Sequence, residues 1–192
     1  MSAASENSIE EFSDFLENHG IFDLNVRDEN DWTALIHAAS KNSDERVVEH
    51  LIMHGADLNA RGKDGMTALM HAIADNPNCK IAQLLIEAKA DLNARTRDNQ
   101  TALMLAIDAN RNNIAESLIN AYADLEARDN QGATALMHVA KCGRTKTIAC
   151  LLLKSGADVN AKDNIGKIAY QYALENKRNA KIAELILKRT KS

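Results

Sequence analysis

The sequence predicts an all-α solenoid of helix-turn-helix units with projecting β-hairpin fingers, and three observations predict it. The tripeptide Thr-Ala-Leu recurs at steps of 34, 34 and 33 residues, beginning at Thr33, Thr67, Thr101 and Thr134. A second signature, Ala-Asp-Leu-Asn-Ala or a close variant, begins at Ala56, Ala90, Ala123 and Ala157. An apolar stripe at helical spacing lies between the two signatures in each unit. Two signatures that share one period indicate a repeat architecture.

Each unit is predicted to contain two helices. The threonine is an N-cap whose hydroxyl accepts from the free amides of the first turn, and the small residues after it form a short helix. The second helix carries the apolar stripe, which in the first unit is Val47, Val48, Leu51 and Ile52. Gly55 and Gly156 stand where a left-handed residue ends that helix.

Composition favours a stack of short helices over a large core, since only 4% of the 192 residues are aromatic and proline occurs once. A net charge of −4 gives no global reason to expect nucleic acid as a partner, since such binding needs a strongly basic face. The first residues lack signal-peptide features, and no apolar run approaches the ~20 residues that span a membrane. The sparse, odd set Cys79, Cys142 and Cys150 fits a reducing compartment. We therefore expect an intracellular, most simply cytoplasmic monomer that binds neither nucleic acid nor membrane, with a secreted bacterial effector as the alternative.

The repeated unit resembles the ankyrin family, whose usual unit is DxxGxTPLHxAAxxGHxxxVxxLLxxGADVN, over about residues 8 to 188. Residues 1–7 are expected to be a flexible N-terminus, and 8–192 a single ankyrin-repeat domain. Within it, 8–26 form an N-terminal half-repeat that opens with a capping box at Ser8. Repeats follow at 27–60, 61–94, 95–127 and 128–161, and residues 162–192 are the C-terminal capping repeat.

Several residues depart from the family pattern. Ile36, Met70, Met104 and Met137 replace the family histidine, so its hydrogen bonds must be absent. Lys89 and Tyr122 replace the glycine that ends the second helix, and Asn99 replaces the finger glycine. A non-glycine residue in left-handed geometry costs about 1 kcal/mol. Because the second and third repeats contain all three replacements, we expect them to be the least protected part of the solenoid.

No residue pattern predicts catalysis, a cofactor or a metal. His37, His71 and His138 share one position in three repeats, but packed helices lie about 8–10 Å apart, which is too far for one tetrahedral site. They are expected to be inherited polar tips at the surface. Asp28, Asp129 and Asp163 begin fingers and are expected to bond local backbone amides. The sequence therefore predicts that the chain is not an enzyme.

The resemblance implies a protein-protein interaction module, a scaffold, adaptor or inhibitor. It would bind a protein or extended peptide in the concave groove of fingers and first helices. The partner-binding residues carried over are Arg27, Glu29, Trp32, Lys41, Arg61, Lys63, Asp64, Met66, Asp75, Arg95, Arg97, Gln100, Asp108, Arg128, Asn130 and Lys141. The same row also includes Ser40 and Ala133. Trp32 and Met66 are candidate anchors, because interfaces are enriched in such side chains. The alternative is that Trp32 covers the backbone of the neighbouring finger.

The finger series Arg27, Arg61, Arg95, Arg128 and Lys162 is basic. Basic residues are ordinary at this position in the family, so a solvated edge explains the series. Together with nearby lysines it favours an acidic or extended peptide partner.

Two other functions remain open. The first is small-ligand or nucleotide sensing, as in the ankyrin domain of an oligoadenylate-activated ribonuclease. The chain resembles that domain in Trp32. It departs from it at Gly62, where a ligand-contacting lysine is expected, and at Gln100, where an aromatic residue is expected. In the second, the chain is a substrate. Asn59, Asn93 and Asn160 match the pattern that asparaginyl hydroxylase modifies in ankyrin repeats.

Overall fold

A computed structural model describes residues 23–41, 44–142, 146–176 and 179–190. These residues form ten helices and no sheet, which confirms the all-α class. The contacts divide the chain into two compact units, residues 1–97 (unit 1) and residues 98–192 (unit 2). The expected flexible segment 1–7 and the half-repeat up to residue 22 lie outside the described residues. The single-domain organisation stays a prediction.

Unit 1 contains two pairs of helices. The first pair is α1 (Ala34–Lys41) and α2 (Glu45–Met53), and the second is α3 (Ala68–Ala74) and α4 (Cys79–Glu87). The first helices, α1 and α3, pack on each other, and the second helices, α2 and α4, do the same. The apolar stripe of each helix therefore faces the neighbouring pair.

Unit 2 contains three pairs of helices. They are α5 (Ala102–Asp108) and α6 (Asn112–Asn120), then α7 (Ala135–Cys142) and α8 (Lys146–Lys154), then α9 (Ala169–Glu175) and α10 (Ala180–Thr190). The first helices α5, α7 and α9 pack in sequence, and so do the second helices α6, α8 and α10.

The threonines begin the first helices as predicted. Thr67 Oγ1 accepts from the amide of Met70, and Thr101 Oγ1 accepts from that of Met104. In the last repeat Ile168 has no hydroxyl to offer. There the side chain of Gln171 reaches back, and its Oε1 accepts from the Ile168 amide at 2.9 Å. The first turn of this helix therefore still has one side-chain hydrogen bond, which comes from Gln171 and not from an N-cap hydroxyl.

The side chains that replace the family histidine form the core of the first-helix layer. Ile36, Met70, Met104 and Met137 are fully buried. An aliphatic or thioether side chain fills this space without needing a hydrogen-bond partner. The expected loss of the histidine hydrogen bonds is thus offset by apolar burial.

The predicted left-handed residues are left-handed. Lys89 has φ 68° and Tyr122 has φ 63°, in the place of Gly55 at 83° and Gly156 at 95°, and Asn99 has φ 58°. Two further non-glycine residues, which the sequence analysis did not single out, share this geometry, namely Asp31 at 61° and Asn110 at 57°.

A backbone bond closes the short hairpins of four fingers, which begin at Asp28, Gly62, Asp129 and Asp163. The amide of Asp28 donates to the Trp32 carbonyl at 3.0 Å, and the amide of Asp163 donates to that of Lys167 at 3.0 Å. Neighbouring fingers of one unit are joined in the same way, as where Lys63 N donates to the Asn30 carbonyl at 2.9 Å. These bonds hold the finger tips in a fixed register beside the first helices.

Candidate functional site

The finger aspartates build the turns, as predicted. Asp28 Oδ1 accepts from the amides of Asn30 at 2.8 Å and Trp32 at 2.9 Å. Asp129 Oδ1 accepts equivalent bonds from its own finger, at 2.9 and 2.8 Å. Asp163 Oδ1 does the same at 3.0 and 2.8 Å. One carboxylate oxygen therefore fixes each of these three fingers.

The second oxygen of each aspartate contacts a side chain of the following helix, which the sequence analysis missed. His37 Nε2 lies 2.8 Å from Asp28 Oδ2, and His138 Nε2 lies 3.0 Å from Asp129 Oδ2. The Tyr172 hydroxyl donates to Asp163 Oδ2, and this bond raises the pKa of Tyr172 to about 12. The signal was available in the sequence. In these three repeats the aspartate precedes a histidine or tyrosine by nine residues, whereas the other two repeats have Gly62 and Thr96 at the aspartate position.

The expectation that the three histidines are polar tips at the surface is wrong for two of them. His71 is only 3% exposed and His138 only 7%. His71 Nδ1 bonds Asp75 Oδ2 at 2.9 Å, and its Nε2 lies 3.2 Å from Asp64 Oδ2 at an angle too poor for a hydrogen bond. The bonded partner of His71 is therefore the carboxylate at the end of its own helix, whereas a finger and another first helix supply the partners of His138.

His138 lies between two carboxylates of unit 2. Its Nδ1 is 2.9 Å from Asp108 Oδ1, and its Nε2 bonds Asp129. Burial alone would lower the pKa of His138, but the bonds and charges of Asp108 and then Asp129 outweigh it and raise the pKa. Burial tends to raise the pKa of Asp108, yet the bond to His138 holds it below its ordinary value.

The thiol of Cys142 donates to Asp108 Oδ1 at 3.4 Å, beside this histidine. Both ring nitrogens of His138 face carboxylates, so neither is placed to take the thiol proton. The trio therefore lacks the nucleophile-base contact that cysteine catalysis requires. Among the described residues, no group of three or more histidine, cysteine or acidic side chains could hold a metal ion.

Trp32 is partly exposed, and three neighbours in unit 1 fix its ring. The indole centroid lies 5.0 Å from the ring of His37 and 4.5 Å from that of His71. Its edge lies on Gly62, where an added Cβ would come within 2.9 Å of Trp32 Cδ1. Trp32 thus covers the neighbouring finger and also presents area to solvent. A lysine at position 62, as the ligand-sensing alternative requires, would displace this ring.

The basic finger residues join one finger to the next. Arg27 Nη1 donates to the Arg61 carbonyl at 2.8 Å, and Arg61 donates to that of Arg95. In unit 2, Arg128 donates to the Lys162 carbonyl. A structural role thus explains the series, while the guanidinium groups leave positive charge at the finger edge.

Asn59 has a comparable role, because it joins its repeat to the next one. Its side-chain Oδ1 accepts from the Asp91 amide at 2.8 Å, and Asn25 and Glu126 accept equivalent bonds from Asp57 and Asp158. Asn93 and Asn160 are exposed.

None of the predicted partner-binding residues is buried. Trp32, Asp64, Met66, Arg95, Gln100 and Lys141 are partly exposed, and the rest of the set is exposed. Two residues of the wider row are buried, Ser40 at 4% and Ala133 at 0%, so they offer little to a partner. Ser40 Oγ lies against Asp75 Oδ2 at 3.3 Å, and the Ala133 amide bonds the finger carboxylate of Asp129.

The helix pairs, fingers and recurring caps define a helical repeat protein. Family models described as "Ankyrin repeats (3 copies)" match residues 1–62 and 36–129, and one described as "Ankyrin repeats (many copies)" matches residues 118–173. The chain belongs to the ankyrin-repeat family. Ankyrin repeats are generally protein-interaction modules and are typically non-catalytic.

A comparison with curated proteins gave no match. In the part of the chain that the structure describes, no helix is both long and apolar enough to traverse a bilayer.

Proposed function

We propose that this chain is a scaffold, adaptor or inhibitor that holds a protein or extended peptide against its finger tips and first helices. The observation that carries the proposal is Trp32. It is the only tryptophan of the chain, it is partly exposed at a finger, and its ring is already fixed by Gly62 and two imidazoles. A fixed aromatic loses little conformational freedom on binding, which favours it as an anchor.

Met66 supports the same surface in unit 1. It closes the second finger, where its carbonyl accepts from Gly62 N at 3.0 Å, and its side chain is partly exposed. An adaptable thioether beside a rigid indole suits a partner surface that must be matched in shape.

The charge of the finger edge favours a partner with acidic groups. Arg27, Arg61 and Lys63 are exposed in unit 1, and Arg128 is exposed in unit 2. Such rim charges speed encounter and fix register more than they add affinity. We place the interaction in the cytoplasm, because a sparse, odd set of cysteines fits a reducing compartment.

Affinity capture from cell extract, quantified by mass spectrometry, tests the finger surface. We expect Trp32→Ala with Met66→Ala to lose the proteins that the wild type retains, because both anchors are removed. The matched control is Met53→Ala with Tyr122→Ala, which removes similar side chains that are 76% and 92% exposed away from the fingers. The control variant should retain the same proteins.

Equal retention by wild type and the Trp32/Met66 variant would refute the finger surface as the binding site. Trp32→Phe separates binding from folding, since it keeps a ring on Gly62. It should melt close to the wild type by circular dichroism and retain part of the captured protein.

A further inference from the structure

The outer faces of α8 and α10 carry an unusual concentration of positive charge. Lys146 and Lys154 are exposed on α8, and Lys188 and Arg189 are exposed on α10. Two shallow grooves meet at Cys150. One, of about 190 Å³, lies towards α10, and the other, of about 340 Å³, lies towards α6. Lys154 lines both grooves.

This charge is not a property of the repeat. Lys154 and Lys188 occupy the same position in successive repeats, 34 residues apart, where the repeats of unit 1 have Met53 and Glu87. The outer face of unit 1 instead pairs its charges, as where Lys80 Nζ lies 3.0 Å from Glu45 Oε1.

Among the described residues, two acids lie near the basic face. Glu116 lines the groove towards α6. Glu184 lies 2.9 Å from Lys188, but both side chains are more than 60% exposed, so water weakens the pair. Four cations against these two acids leave the face positive.

The floor of the grooves is apolar. Cys150 and Leu151 belong to α8 and Leu185 to α10, and all three are partly exposed. No aromatic side chain of the described residues lines either groove, so those residues offer nucleic-acid bases no stacking platform there. Both grooves are open to solvent, and their volumes of about 190 and 340 Å³ lie below or near the lower end of the ~300–1,000 Å³ range of cavities that enclose small ligands.

We propose that the outer faces of α8 and α10 bind an acidic amphipathic helix of a partner protein. Its apolar side chains enter the grooves beside Cys150, and its carboxylates lie against Lys154 and Lys188. Charge complementarity and the apolar floor select this occupant. The site is separate from the finger surface, and it can hold its partner whether or not the fingers bind one.

The test uses the full chain and a fluorescein-labelled synthetic helix with leucines on one face and glutamates on the other. We expect fluorescence anisotropy to show binding that weakens when salt is raised from about 0.05 M to about 0.5 M. Lys154→Glu with Lys188→Glu should weaken it at least about tenfold, a change of ~1.4 kcal/mol. The control, Lys89→Glu with Lys162→Glu, makes the same change in net charge at exposed positions elsewhere and should bind nearly as wild type.

Cys150 locates the bound helix. In a variant with Cys79→Ser and Cys142→Ser it is the only thiol, and the helix should slow its alkylation by a neutral maleimide severalfold. Unchanged alkylation under saturating helix, or equal binding by both charge-reversed variants, overturns the proposal. Duplex DNA or phosphatidylserine vesicles that bind in place of the helix, and lose binding in the Lys154/Lys188 variant, would also overturn it and assign the face to a polyanion.

Discussion

His138 is a buried imidazole with a carboxylate at each ring nitrogen. Two ionised carboxylates each require a donor, and only the imidazolium supplies both. The pKa of His138 is accordingly raised. Because the pKa of His138 is higher in the folded than in the unfolded chain, protonation of this residue stabilises the fold. This contribution is complete when the pH is below the unfolded-state pKa of about 6.5, and it is lost as the pH rises through the folded-state pKa.

We expect His138→Gln to be more harmful in acid than in base. Near pH 6 the substitution removes charged hydrogen bonds to Asp108 and Asp129, at a cost of about 1.5–3 kcal/mol in the free energy of unfolding. At an alkaline pH above the folded-state pKa of His138, the wild type has lost the imidazolium, so the difference should shrink. Urea denaturation followed by circular dichroism measures both values. His54→Gln, at an exposed histidine, is the control and should cost little at either pH. Equal losses at the two pH values for His138→Gln would contradict the charged pairing.

Gly62 is required by the side chain that lies on it. Its Cβ would meet the indole, so we expect Gly62→Ala to cost about 1–3 kcal/mol of unfolding free energy. In a Trp32→Ala background the same substitution should cost less, since the clash with the indole is gone and only the close approach to Asp64 Oδ1, at 2.9 Å, remains. Gly55→Ala is the matched control. Nothing lies within 4 Å of its Cβ and its φ is 83°, so its cost comes from the backbone and should be the same in both backgrounds. Urea denaturation of the wild type, Gly62→Ala, Trp32→Ala and the double variant gives a double-mutant cycle. If the two single substitutions have additive effects on the free energy of unfolding, the contact between Trp32 and position 62 is excluded.

At the scale of the element, the ends of α4 and α6 are strained. We expect Lys89→Gly and Tyr122→Gly each to raise the free energy of unfolding by about 0.5–1 kcal/mol, because glycine adopts positive φ without a Cβ penalty. Tyr122 is 92% exposed, so little packing is lost. Ala121→Gly, one residue earlier at φ −85°, should instead lower the free energy of unfolding, because glycine brings only its entropy cost at a negative φ. Thermal melts measure all three, and a destabilised Tyr122→Gly would show that this side chain has a role in folding.

The sequence predicted the features that depend on residues close together in the chain. Threonine caps act on amides three residues away, and a missing glycine at a helix end is visible in one repeat. The features it missed depend on residues about one repeat apart. Asp108 reaches His138 over 30 residues, and Trp32 lies on Gly62 of the next finger. The predicted binding residues are exposed because the repeat exposes those positions, but their contacts depend on which side chains neighbouring repeats provide.

At the scale of the whole chain, the strained residues are unevenly distributed among the repeats. Residues 61–127 contain four of the five non-glycine residues at positive φ in the described chain, whereas residues 128–161 have glycine at Gly132 and Gly156. Repeat stability is close to a sum over units and their interfaces, so local strain lowers local protection.

We therefore expect the backbone amides of α4 and α6 to exchange with deuterium faster than those of α8, in native conditions and at one temperature. To test whether backbone strain is the cause, Lys89, Asn99 and Tyr122 are replaced by glycine together. This variant should exchange more slowly in residues 61–127, and exchange in α8 should be nearly unchanged. Gly156→Ala makes the reverse change and should speed exchange at the end of α8. Exchange that is uniformly slow across α4, α6 and α8 in the wild type would show that packing between helices outweighs the strain at their ends, since the backbone cost would then be absorbed by contacts that every repeat shares.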